Sequence, residues 1–506
     1  MHYVSLIVEF LRGRPSVVFW SATLAQAALW LFVPSLFYSS PPGDVPTLLA
    51  IGHEFRLGSY LGPPLAFWLG EIAFRFGGMF GVYLLSQICV VIAFWAVFAV
   101  GRAIVGTRHA VLAILLMVGV GSFNVPSPDF GPAILAMPLW GLALLYYWRA
   151  LGEGARGYWF LLALALGLLL LTSYAGLILI ALIVMFTPLT TRGRDALRHA
   201  EPWIAIVLLL IAVFPHAVWL HGSFAVVLAA LDEGARGSSL SPLGWIALSL
   251  AASHLGAGLL VLLASRWRAN RRERAPEIGR APVDPAARFF VLFFAIGPAL
   301  VAVTIVALTG HPGPLERVAP LVLFSALSVI VLACDQVRLF NERMVSSAWA
   351  GLLTLPPFLI VVGLLVLPWT FGADLKIAQP ADAMGQFFAD NFQRRTGKPL
   401  PYVAGDSRLA ALVALAAPSR PSLYFDRNPE RSPWANPETL RADGAVLLWP
   451  AADTAGAPPA ALRSQFPEVV AELPRAFARP VQGTLPLIRI GWAVLRPPNA
   501  PSGPRR

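Results

Sequence analysis

Lysine is almost missing from this chain of 506 residues: Lys376 and Lys398 are the only two. Acidic residues are scarce as well, 27 against 38 basic ones, and the net charge is +11. A basic surplus of that size suggests nucleic acid, but the arginines stand beside apolar runs rather than in one patch. The positive-inside bias of membrane loops accounts for that placement, and a nucleic-acid partner is excluded. Cysteine is nearly absent too. Cys89 and Cys334 both lie inside apolar runs and far apart, which excludes a disulfide framework and a cysteine metal site.

What the chain has instead is hydrophobicity, 57% of its residues against 13% charged. Apolar runs recur at about the 20-residue length that crosses a bilayer core, and about eleven can be counted. They cover residues 16–38, 80–100, 109–124, 131–148, 158–172, 174–190, 203–220, 244–265, 289–309, 317–334 and 348–370. The first follows Arg12 and Arg14 without a small-residue cleavage site, so it is expected as a retained helix rather than a signal peptide. Alternate loops carry most of the arginines, from Arg102 and Arg108 to Arg338 and Arg343, which predicts a cytoplasmic N-terminus. An odd number of spans then puts the tail on the outer side.

That tail is different in kind. "LPYVAGD", "RPSLYF", "DGAVLLWP" and "LPLIRIGWAVLRP" read as short strands, and "SRLAALVALAA" reads as a helix. The expected fold class is therefore mainly α: a polytopic membrane helical bundle over 1–370, with a small extracytoplasmic α/β domain over 371–497. Residues 498–506, Pro-rich and charged, are expected to be a disordered tail.

Three outer segments concentrate the polar residues of the membrane part. The first outer loop, 39–79, holds Asp44, His53, Glu54, Arg56, Tyr60, Glu71 and Arg75. Within it, "PPLAFWLGEIAFRF" has helical spacing and predicts a helix lying in the membrane interface, with Glu71 and Arg75 as a solvated pair one turn apart. "NVPSPDFGP" places Asp129 before the fourth span, and "GHPGPLERVAP" places His311, Glu316 and Arg317 at the mouth of the tenth. A carboxylate at such a face suits proton abstraction from an acceptor, and burial or a second carboxylate, Glu54 or Asp129, would strengthen it. Arginine suits a departing phosphate.

In order, "D…GPPLAFWL", the "PDF" loop before "GPAILAMPLWGLALLYYWRAL", "FPHAVWLHGSF" and "GHPGPLERVAPLVLF" resemble the bacterial membrane glycosyltransferases that include protein O-mannosyltransferases and the aminoarabinose transferase of lipid A. "VAGDSRLAALVALAAPSRPSLYF" and "SPWANPETLRADGAVLLWP" resemble the outer domain of that group. The resemblance implies a GT-C bundle in the bacterial inner membrane, with its C-terminal domain in the periplasm. It implies inverting transfer of a sugar from a polyprenyl-phosphate donor to a lipid, polysaccharide or protein acceptor. Asp44 matches the first-loop base of the family, Asp129 the second-loop aspartate, and Arg317 a basic residue near the start of a late span. Glu54, Arg56, Tyr60 and Arg75 fall in the loop that would bind substrate. Two positions depart from the pattern: Val45 stands where many relatives have a second acid, and Gly62 where many have a lysine before Pro-Pro.

Plainer readings stand beside these. Asp44 also suits an N-cap, with Pro46 in the first turn. His53 and Glu54 with His311 and Glu316 match no compact metal motif, so a divalent ion is only a weak possibility. A lipid-linked-sugar transporter or flippase would place ionisable residues at mid-membrane and show repeated halves, neither of which is visible. A non-catalytic scaffold is the third reading, favoured by Val45 and Gly62.

Overall fold

The structure is a computed structural model and describes residues 6–235, 241–265, 277–310, 318–333, 335–338, 340–425, 428–451 and 456–498. Each of the eleven apolar runs forms a helix or a pair of helices within those residues. Seven helices are long and apolar enough to cross a membrane: Pro15–Phe37, Leu65–Val105, Pro132–Leu151, Glu201–Ala230, Pro242–Ala264, Pro285–Thr309 and Glu342–Thr370. The other four runs give shorter apolar helices at Thr107–Val118, Tyr158–Leu170, Gly176–Leu189 and Ala319–Leu332. This is a multi-pass helical membrane protein, mainly α, as expected.

The stretch Leu65–Val105 holds two helices, the interfacial helix and the second span, separated by a kink at Gly77 and Gly78 where the backbone is not helical. Gly78 has φ 57°, a left-handed conformation that costs glycine little and other residues much.

By its contacts the chain forms two compact units. The first comprises residues 1–32, 61–65 and 83–358. Its helices pack through aromatic side chains: Tyr147, Phe186, Phe290 and Phe294 form a cluster in which Phe290 and Phe294 lie 5.0 Å apart and Phe186 and Phe294 5.3 Å. Tyr147 is fully buried, and its hydroxyl meets Thr187 Oγ1 at 2.8 Å, so the ring's polar end is satisfied without water. Helix Glu201–Ala230 is the opposite case, with 11% of its apolar window buried. A helix that is apolar all round and uncovered by protein is one that faces lipid. Two three-residue strands, β1 (Glu277–Gly279) and β2 (Gln336–Arg338), pair antiparallel in the same unit.

The second unit comprises residues 33–60, 66–82 and 359–506. It contains the strands β3 (Tyr402–Gly405), β4 (Ser422–Tyr424), β5 (Ala445–Pro450), β6 (Arg475–Phe477) and β7 (Ile488–Leu495). These form one mixed sheet of order β4-β3-β5-β7-β6, parallel between β4, β3 and β5 and antiparallel from β5 onward. The four strand-like sequences of the tail are β3, β4, β5 and β7. Only the three-residue edge strand β6 carries too little pattern to be read. Tyr424, Leu447, Trp449, Phe466 and Ala493 build a core on the sheet. Helix Ser407–Ala416 begins where Asp406 accepts a hydrogen bond from the Leu409 amide at 2.9 Å, an ordinary N-cap. Of the expected disordered tail, residues 499–506 lie outside the described residues.

Candidate functional site

The first outer loop folds around a short helix, Val45–Gly52, that is buried along its length. Pro46 sits in its first turn, and Asp44 occupies the N-cap position. The capping expectation is only half met, because the Asp44 side chain makes no cap hydrogen bond. At the other end the helix presses on helix Leu65–Val105 so closely that a Cβ on Gly52 would stand 2.3 Å from Phe67 O and 3.0 Å from Glu71 Cβ. Only glycine allows that approach.

Glu71 is the centre of this contact. Its side chain is 2% exposed, so the expected solvated pair with Arg75 is corrected. Three basic side chains surround it: His53 Nδ1 at 3.2 Å, Arg75 Nε at 2.9 Å and Arg420 Nη2 at 2.7 Å. A buried carboxylate is tolerated when its lone pairs are met in this way. The two arginines also lie over rings, Arg420 over Phe74 at 4.5 Å and Arg75 over Phe55 at 4.9 Å. Spacing signalled the pair with Arg75. Nothing in the sequence signalled Arg420, which is 349 residues further along the chain.

Glu54 lies two residues past the short helix, whose eight residues rise about 12 Å at about 1.5 Å each, at the end opposite Asp44. It is therefore at the wrong end of the helix to be the second carboxylate beside Asp44. Burial pushes its carboxyl above the ordinary glutamate range, and a hydrogen bond with Ser422 and the charges of His53 and Arg56 oppose the shift only in part. Its Oε1 is buried with no hydrogen-bond partner among the described residues. Arg56 is exposed, and its carbonyl accepts from Trp68 Nε1 at 2.9 Å. Tyr60 packs edge-on against Phe425, 5.6 Å between ring centres, under the guanidinium of Arg431.

Asp129 belongs to the first unit, on a turn between helices Thr107–Val118 and Pro132–Leu151. Neutral hydrogen bonds fix that turn. Gln26 Nε2 donates to Phe123 O at 2.7 Å, Asn124 Nδ2 to Val118 O at 2.6 Å, and Ser86 Oγ to Ser127 O. Asp129 lines a cavity of about 430 Å³ together with Ser122, Ser249 and Ser253, and it is the charged residue among the described residues of the wall. Ser122 and Ser253 hydroxyls meet at 2.5 Å.

Arg317 and His311 lie outside the described residues. Among the described residues no group of three or more His, Cys, Asp or Glu side chains is placed to hold a metal ion, and His53 is turned to Glu71. Gly62, where relatives have lysine, has φ 138°, a conformation side chains rarely adopt. The backbone there differs from one that would carry a lysine.

Residues 62–219 match the family model described as dolichyl-phosphate-mannose-protein mannosyltransferase. That stretch contains Asp129 and begins after Asp44. The crystal structure of ArnT from Cupriavidus metallidurans in the apo state superposes with a TM-score of 0.57 at 14% identity, covering 95% of this chain and 97% of that one. The chain has the fold of ArnT. ArnT from the same organism bound to undecaprenyl phosphate aligns at 12% identity over 97% of this chain and 99% of that one, with a TM-score of 0.43. An oligosaccharyltransferase from Archaeoglobus fulgidus aligns at 14% identity over 86% and 69%, with a TM-score of 0.38. No curated protein sequence matches. The mannosyltransferase match over residues 62–219 and the ArnT fold agree with the resemblance read from the sequence.

Proposed function

We propose that the chain is a membrane glycosyltransferase that moves a sugar from a polyprenyl-phosphate donor to an acceptor at the periplasmic face of a bacterial inner membrane. The observation that carries this reading is the match of residues 62–219 to the mannosyltransferase model, within a chain that has the ArnT fold from end to end. Asp44 is the base in this proposal. It takes the proton of an acceptor hydroxyl as that oxygen bonds to the anomeric carbon, the carbon–oxygen bond to the phosphate breaks, and the anomeric centre inverts. The polyprenyl phosphate leaves with one more negative charge. Arg56, Arg75 and Arg317 are the cations assigned to that charge, replacing the lysine missing at Gly62. Glu54 and Tyr60 are assigned to the same substrate-binding loop, and Asp129 with the serines of its cavity to orienting a hydroxylated substrate.

The domain assignment carries over in this proposal, with 1–370 as the membrane part and 371–497 as a periplasmic part that closes on the acceptor. Purified protein in liposomes with radiolabelled polyprenyl-phosphate sugar tests the reading. The expected result is loss of label from the lipid only when envelope acceptor is added. Label that crosses the bilayer without acceptor would instead identify a flippase.

A further inference from the structure

The short helix that carries Asp44 has only eight residues, too few to be stable by itself in water. Two arginines from the C-terminal part of the chain hold its two ends. At the N-terminal end, Arg408 donates from Nη1 to Gly43 O and from Nη2 to Lys376 O, both at 3.0 Å. At the C-terminal end, Arg420 grips Glu71 at 2.7 Å, and Glu71 in turn meets His53, the residue that ends the helix. Helix Ser407–Ala416, which carries Arg408 in its first turn and ends four residues before Arg420, packs along the Asp44 helix.

The backbone of Arg420 gives an independent sign that this contact is specified. Its φ is 49°, left-handed, in a residue that is not glycine. Such a conformation costs free energy and persists where surrounding contacts hold it. Here a turn from Arg420 N to Ala417 O at 3.0 Å and the ion pair with Glu71 hold it. The bend delivers the guanidinium to a carboxylate that the first loop has buried.

We propose that Arg408 and Arg420 are positioning residues that clamp the Asp44 helix at both ends and so set where the Asp44 carboxylate stands. The C-terminal part of the chain is then a working component of the site. This inference rests on the assignment of Asp44 as the base. A base displaced by about 1 Å loses rate without losing substrate affinity, so the clamp predicts an effect on kcat rather than KM.

The test uses the full chain in liposomes, with Arg408→Met, Arg420→Met and the conservative Arg408→Lys and Arg420→Lys variants. Amide hydrogen exchange and transfer kinetics are measured on each. The methionine variants are expected to speed exchange across residues 43–53 while strands β3, β5 and β7 stay protected. Their kcat should fall about tenfold with KM for the lipid donor changed less than about twofold, and the lysine variants should recover part of the loss. Unchanged exchange in 43–53 would overturn the clamp, and so would faster exchange there with unchanged kcat. If a methionine variant fails to fold, the lysine variant decides by the same two readouts. A wild-type protein that transfers no sugar refutes the transferase reading, and exchange then judges the clamp by itself.

Discussion

The two units of the molecule solve the burial of polar groups in different ways. The helical unit buries mostly neutral ones, and its buried cation, Arg280, is met by Asp335 and three carbonyls. Gln26, Ser122, Asn124 and Tyr147 are each met by a carbonyl, a hydroxyl or an amide nearby. The sheet-containing unit buries a charge, Glu71, and surrounds it with Arg75, Arg420 and His53. The difference follows from what meets each group. An ion away from water needs close partners, and Arg280 finds them in carbonyls and Asp335. Around Glu71 the partners are arginines whose tips reach water, as the half-exposed Arg75 does. The buried carboxylate with several basic partners stands beside the loop that carries Asp44.

Substitutions at the charged cluster should sharpen that contrast most. Glu71→Leu leaves the partly buried Arg420 without its carboxylate and is expected to destabilise the protein by about 3 kcal/mol, discounted from the upper range because Arg75 and Arg420 are partly solvated. Glu71→Gln keeps the shape and one acceptor and should lose about half as much. Thermal unfolding in detergent checks both, and a Glu71→Leu protein as stable as wild type would break the comparison.

A smaller effect is expected in the helical unit. Asp129→Asn keeps the neutral hydrogen bonds of its turn and should leave the unfolding temperature within about 2 °C of wild type. If Asp129 orients substrate in its cavity, kcat/KM should still fall roughly tenfold, about 1.4 kcal/mol of transition-state stabilisation. A stability loss comparable to that of Glu71→Leu would make Asp129 structural instead.

The smallest effect belongs to Glu54. Its carboxyl titrates above the ordinary glutamate range, so the native state keeps a proton that the unfolded chain has already lost. Stability then falls as pH rises through that window, from the unfolded value to the raised folded one, and stays lower above it. Glu54→Gln has no proton to lose. Its unfolding temperature should match wild type at about pH 4 and exceed it at about pH 7, by less than the Glu71 variants lose. A gap that narrowed with rising pH would contradict the assignment of burial as the cause.

The bundle was legible because each span is a long apolar run, and the sheet because its strands are short β-branched and aromatic runs between turn residues. The joint between the interfacial helix and the second span was legible as well, since two adjacent glycines leave the helical conformation at little cost. Glu71 was misread. Its local partner, Arg75, is one turn away and looks like an exposed pair, whereas the burial comes from Gly52 and Arg420. Contacts that distant leave no periodicity, so both arginines of the clamp were invisible. Asp44 was singled out by order and resemblance, and the structure adds that its side chain makes no cap hydrogen bond to the helix it precedes.

The most direct test of the central claim is the mass of the envelope glycans from a strain lacking this protein, complemented with the intact chain or with Asp44→Asn. A general base contributes about 10²–10⁴-fold, so the variant should be nearly inactive. The account predicts that one glycan loses a single sugar in the deletion strain and regains it with the intact chain alone. Restoration of that glycan by Asp44→Asn, or no glycan change on deletion, would contradict it.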